Sequence, residues 1–268
     1  VASRQAETIN AETTKPELSK FIRKGKQKTI ARIAAIGALA LSLCTPVLNS
    51  QTEAPKDSNM AGINVILRPQ QHRFTGAKGS WSVVNSKSDQ YTIAQWLGIG
   101  GIDGGTNANE LVQVGTTCAS MWDGCRIFYE ILPQRPFIYD SIIVKPNDII
   151  SAEMKISLVK ANQWYIKVTD ITQKASFKRS LDYSSSRSSV ELVLETPEIR
   201  ASESAKRWSI LGLTDFDDVR FFNFGIDVNS KEAANALDYR KYEIVRDGRR
   251  LTRIASNPDG SFNVKRVR

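Results

Sequence analysis

From Ile150 to Leu158 every second residue is apolar: Ile150, Ala152, Met154, Ile156 and Leu158 alternate with Ser151, Glu153, Lys155 and Ser157. A period of two gathers the apolar side chains on one face of an extended chain, so this stretch reads as a half-buried β-strand. Trp164, Ile166 and Val168 repeat the pattern against Tyr165, Lys167 and Thr169. Further candidate strands cover residues 80–84, 91–97, 110–116, 126–132, 137–144, 189–195, 218–224 and 241–246, separated by turn residues such as Lys145-Pro146-Asn147-Asp148. Many short antiparallel strands must each bury one face, and two stacked sheets do so with few exposed edges. The expected fold class is therefore all-β, an antiparallel two-sheet β-sandwich, with residues 230–237 as the one short helix of the folded part.

Charge and hydropathy divide the chain before that sandwich begins. The formal charge of +9 is uneven, because residues 1–50 hold eight Lys/Arg against three Glu. Arg23, Lys24, Lys26, Lys28 and Arg32 precede an uncharged apolar run from Ile33 to Leu48, then polar Asn49-Ser50-Gln51. That order of parts is an export signal. The run is shorter than the ~20 residues a spanning helix needs, and Pro46 interrupts its end. The expectation is a leader or N-terminal anchor over 1–50, carrying an export helix, then a linker over 51–57 and the sandwich over 58–268. A secreted or otherwise extracytoplasmic protein follows, touching membrane only through an uncleaved leader. With more than half of the excess charge in the leader, nucleic acid is not an expected partner.

Export makes cysteine oxidation possible. Cys118 and Cys125 flank Met121-Trp122-Asp123-Gly124, and the spacing fits either a disulfide closing a short hairpin or two buried thiols. Elimination narrows the chemistry further. The sole histidine is His72, between Gln71 and Arg73, which disfavours Ser-His and Cys-His nucleophiles. Paired zinc-ligand spacings are missing from the sequence, so no cofactor or metal is expected. Gly98, Gly100, Gly101, Gly104 and Gly105 make a glycine-rich loop without the order or the following helix of a phosphate cradle.

Carboxylate and amide chemistry is left. In Val190-Glu191-Leu192-Val193-Leu194-Glu195, a strand puts Glu191 and Glu195 on one face, opposite Val190, Leu192 and Leu194. A helix would also pair the two glutamates, but the β-branched flanks and the closing Thr196-Pro197 favour the strand. Gln113 stands likewise opposite Val112 and Val114. If both faces line one concave sheet, an amide and a carboxylate can converge on a water molecule. A second reading of such a sheet is a non-catalytic module that binds carbohydrate or peptide, for which Trp96, Trp122 and Trp164 would serve.

Five segments, in order, resemble the glutamic peptidase (eqolisin-type, peptidase G1) family in its prokaryotic form. They are Trp96-Leu97-Gly98-Ile99-Gly100-Gly101, Leu111-Val112-Gln113-Val114-Gly115, Phe128-Tyr129-Glu130 with Pro133, Val144-Lys145-Pro146-Asn147-Asp148-Ile149, and Glu191-Leu192-Val193-Leu194-Glu195. The chain departs from the family pattern in the longer stretch between Trp96 and Gln113, in Arg126 where fungal members carry Asp, and in Leu132 where they carry an aromatic. The resemblance implies a jelly-roll or concanavalin-like sandwich and an endopeptidase acting on protein or peptide substrates. The leader makes it a secreted enzyme, and a monomer is expected. A glutamate titrating at ~4.3 that serves alternately as base and acid implies an acidic working pH. By that resemblance Glu195 is the general base that takes a proton from water and later returns one to the leaving amine. Gln113 orients the water and donates to the oxyanion. Trp96, Phe128, Glu130 and Glu191 would meet substrate. Glu191, on the same face with similar flanks, competes with Glu195 for the catalytic role.

Overall fold

The computed structural model describes residues 58–67, 73–85, 92–100, 110–196, 216–246 and 248–267, all within the compact unit Pro46–Arg268. The leader, the linker and His72 lie outside the described residues. In chain order the strands are β1 (Met60–Leu67), β2 (Phe74–Ser82), β3 (Thr92–Gly100), β4 (Leu111–Ala119), β5 (Cys125–Ile131), β6 (Phe137–Val144), β7 (Ile149–Ile156) and β8 (Gln163–Asp170). They continue as β9 (Ala175–Asp182), β10 (Ser189–Glu195), β11 (Val219–Val228), β12 (Leu237–Tyr242), β13 (Val245–Arg246), β14 (Arg249–Arg250), β15 (Thr252–Ser256) and β16 (Phe262–Arg266).

Two seven-stranded antiparallel sheets result, in the orders β12-β1-β10-β3-β4-β5-β6 and β15-β16-β11-β2-β7-β8-β9. The alternation in β7 and β8 becomes real burial: Ile150, Ala152, Met154, Trp164, Ile166 and Val168 are fully buried and face the first sheet's Leu97, Val112, Val114 and Leu192 in one core. Burying large side chains of this kind stabilises by roughly 1.5–3 kcal/mol each relative to exposure. Polar bonds also link the two sheets: the Trp81 indole N–H donates to Thr116 Oγ1 at 3.0 Å, which satisfies an indole donor that burial would otherwise strand, and Gln95 Nε2 donates to the Ser82 carbonyl at 2.8 Å. Cys118 and Cys125 are register partners at the ends of β4 and β5, joined by a disulfide.

Several elements differ from the sequence reading. The short helix, α1 (Lys231–Ala234), is a single turn capped by Ser230, and the chain then passes into β12, where a helix to 237 was expected. Residues 241–246 do not form one strand but divide between β12 and β13. Of the strands outside the expected set, β15 and β16 alternate buried with more exposed residues, whereas β1 and β9 lack a clean period of two for physical reasons. β1 is buried along nearly its whole length and so is apolar on both faces. β9 is an edge strand that buries only Phe177 and Leu181.

Candidate active site

Because cross-strand partners point to the same face, the strand register decides which side chains can meet. On the face of the first sheet turned away from the core, Glu130 pairs with Gln113, Gln113 with Gly98, Gly98 with Glu191, Glu191 with Asn64, and Asn64 with Arg240. These six positions form one row across β5, β4, β3, β10, β1 and β12. The next row on that face holds Phe128, Gly115, Trp96, Val193, Gly62 and Tyr242. The row beyond it holds Arg126, Thr117, Ala94, Glu195 and Met60.

Gln113 and Glu191 are thus separated by β3 alone, about 10 Å between backbones at the usual strand spacing. The residue between them is Gly98, and its lack of a side chain is what opens the gap. A Cβ there would lie 3.2 Å from Glu191 Oε2 and 2.9 Å from the Trp96 ring. The Glu191 carboxyl therefore hangs over the glycine, on the side toward Gln113. Glu195 shares the face, but four residues further along β10 it is displaced by roughly 13 Å from that row.

The amide and the carboxyl are held differently. Gln113 Nε2 donates to Glu130 Oε2 at 2.5 Å, which fixes the amide plane, while its buried Oε1 has no hydrogen-bond partner. Burial raises the Glu130 carboxyl above the ordinary carboxylate range, and the bond from Gln113 opposes this. Glu191 is 1% exposed, and burial pushes it up to about 8, against weaker lowering by the Ser189 hydroxyl and its own main chain. That hydroxyl donates to the Gly100 carbonyl, and both Glu191 carboxyl oxygens are buried without a hydrogen-bond partner. An acid in such surroundings is stable only in its neutral form.

Glu195 sits in a more ordinary setting. Its Oε2 accepts the Trp96 indole N–H at 2.9 Å, and its Oε1 accepts from Asn59 Nδ2 at 3.3 Å. Trp96, so held, packs with Ala94, Leu111, Phe128 and Val193 in a second apolar cluster, distinct from the sandwich core. This gives the site an apolar wall beside the polar row. Trp96 and Phe128 both belong to it, and Glu130 reaches the site through Gln113. Sequence reasoning missed Asn64 and Tyr242. The signal for Asn64 was a polar residue inside the apolar Gly62-Ile63-Asn64-Val65-Ile66, whereas Tyr242 had none before its strand was placed. Among the described residues no group of three or more His, Cys, Asp or Glu could hold a metal ion, and no helix is long and apolar enough to cross a membrane.

The raised carboxyls have a consequence for stability. Glu191 is neutral when folded up to about pH 8, and unfolding returns it to the ordinary glutamate range near ~4.3. The folded state then binds more protons across that window. Its contribution to stability is full below the unfolded value and is lost as pH rises through the folded one. Asp170, raised by burial and by neighbouring Asp148, acts in the same direction. Urea midpoints are expected to be higher at pH 4 than at pH 8, and Glu191→Gln is expected to flatten the difference.

The sheet order, the row of Gln113 and Glu191 and the apolar wall set an amide and a carboxyl on one face of a β-sandwich, beside an apolar surface. The sequence model of the Peptidase A4 family matches residues 58–266, and the chain belongs to that family. It is a glutamic-type endopeptidase, and its substrates are proteins or peptides. That membership favours the enzymatic reading over the non-catalytic binding module. Scytalido-glutamic peptidase, solved with a transition-state analogue inhibitor, superposes with a TM-score of 0.61 at 14% identity, over 79% of this chain and 100% of that one. SCP-B, described as a member of the eqolisin family and solved with the tripeptide Ala-Ile-His, gives 0.60 at 17% identity, over 78% and 98%. At these identities the likeness concerns the fold. No curated protein matches the sequence.

Proposed function

We propose that this glutamic peptidase is a monomeric, extracytoplasmic enzyme active in acid, and that Gln113 and Glu191 are the pair that grips the attacking water. The observation that carries this reading is the shared row of Gln113 and Glu191 across Gly98, with the carboxyl over the glycine. It favours Glu191 for the role that the family resemblance gave to Glu195, whose contacts with Trp96 and Asn59 suit it to hold the wall of the site.

A carboxyl kept neutral by burial works as acid and base together. One Glu191 oxygen gives its proton to the scissile carbonyl oxygen while the other takes a proton from the water whose oxygen bonds to the carbonyl carbon. A neutral gem-diol forms and Glu191 is again protonated. It then gives its proton to the amide nitrogen and takes one from a gem-diol hydroxyl as the C–N bond breaks, releasing acid and amine. Gln113 Oε1 accepts from the water, and the second Nε2 hydrogen stabilises charge on the carbonyl oxygen. The disulfide between Cys118 and Cys125 supports an oxidising compartment.

The test is the pH profile of cleavage of a denatured protein by the purified chain. Activity is expected in acid and is expected to fall as pH rises through the Glu191 value of about 8, because the proton-donating form is then lost. The ordinary glutamate value would place that limb near ~4.3. Activity that rises steadily from pH 6 to pH 9 would overturn the neutral-carboxyl reading.

A further inference from the structure

The row that holds Gln113 and Glu191 continues past the carboxyl on the side away from Gln113. There Asn64 of β1 is the register partner of Glu191, so its side chain stands on the same face beside the carboxyl. Asn64 is fully buried, and its Nδ2 donates to the Tyr242 hydroxyl at 3.4 Å. Tyr242 comes from β12, one row along, opposite Gly62. A small cavity of about 30 Å³, bounded by Met60, Asn64, Glu191, Val193 and Tyr242, lies between these groups. Packing alone therefore leaves the carboxyl room to turn on this side, where the Asn64 amide borders the same cavity.

An amide suits the position because it carries a donor and an acceptor. It can accept from a neutral carboxyl and donate to an ionised one, so it serves every protonation state of a catalytic cycle without adding charge. A hydroxyl on its far side limits how the amide turns. The other titratable or charged groups on this face are Glu130 beyond Gln113, Glu195 along β10, Arg126 of β5, which is paired with Asp140 at 3.4 Å, Tyr242, and Arg240, which is paired with Asp238 at 3.1 Å. β3 contributes Trp96 and Gly98 here, with no charge.

We infer that Asn64, steadied by Tyr242, is a positioning residue for Glu191: its amide supports the carboxyl from the side opposite Gln113 and sets the pH range over which it works. The inference rests on Glu191 being the group that handles the water.

The experiment compares wild type, Asn64→Leu, Asn64→Asp and Tyr242→Phe in full-length protein, recording kcat, KM and the pH profile, with circular dichroism to verify folding. Asn64→Leu is close in volume and suits a buried site. It is expected to lower kcat roughly tenfold or more with KM within about twofold, the size of effect a mispositioned reacting group produces. The limb assigned to Glu191 is expected to move to higher pH, because the ionised carboxyl loses a dipole. Asn64→Asp, whose neutral form has the shape and the donor and acceptor of Asn, is expected to recover activity at pH 3 and lose it as pH rises. Tyr242→Phe is expected to show a smaller change in the same direction. A folded Asn64→Leu with unchanged kcat and pH limb, or one altered in KM alone, overturns the inference. Full activity of Glu191→Gln would instead remove the reading beneath it, and the two failures are thereby distinguished.

Discussion

Glu191→Gln is expected to lose cleavage by about three orders of magnitude or more, whereas Glu195→Gln is expected to keep activity within about tenfold of wild type. The contrast follows from what each carboxyl does. Glutamine in place of Glu191 has the same size but no transferable proton, so neither half of the relay can run. In place of Glu195 its carbonyl oxygen can still accept the Trp96 indole N–H, and the wall of the site survives. Both variants are expected to keep the fold, because the buried face loses a costly ionisable group in the first case and a partly exposed one in the second. Initial rates on a denatured protein at pH 4 measure the pair. The reverse order of losses would return the water to Glu195.

Gln113→Ala is expected to reduce kcat by about 10² to 10³, with KM changed far less. The amide is called on most when charge develops on the carbonyl oxygen, so its loss falls on the transition state. The same substitution frees Glu130 from its 2.5 Å bond and leaves that carboxyl desolvated, with burial still raising its pKa. Gln113→Glu is a useful companion, since it preserves volume while putting a second acid between Glu130 and Glu191. Its activity is expected to fall further, because neighbouring carboxyls in one row resist joint ionisation and compete for the shared proton. A kcat for Gln113→Ala within threefold of wild type would show that the amide takes no part in the chemistry.

The apolar lining and the polar row make separate demands on the same sheet. Trp96, Phe128 and Val193 supply a dry surface, and Gly98 and Gly115 stand where a side chain would collide with it: a Cβ at Gly115 would come within 2.8 Å of Trp96 Cβ. Dryness strengthens each remaining polar contact, and it is the same burial that keeps Glu191 neutral. A wetter cleft would restore an ordinary carboxylate and move the working range to lower pH.

Much of this was legible in the residues alone. The period of two in β7 and β8 identifies strands because side-chain direction is a local property of an extended chain, and turn chemistry between strands is equally local. The same locality placed Glu191 and Glu195 on one face and Gln113 on the polar face of its own strand. Strands apolar on both sides, such as β1, or sparsely apolar at an edge, such as β9, gave no such signal.

Which residues became neighbours across strands was decided by tertiary structure. A shift of two residues in the pairing of β3 with β10 keeps every side chain on its face, yet it would exchange Glu191 for another group opposite Gln113. The sequence therefore determined the strands, the polar face and the kinds of group on it. Register, set by the packing of two whole sheets, decided that Gly98 lies between Gln113 and Glu191, that Trp96 bonds to Glu195, and that Asn64 and Tyr242 flank the buried carboxyl. The physical reason is that face alternation depends on one residue and its neighbours, whereas a row across six strands depends on contacts between segments far apart in the chain.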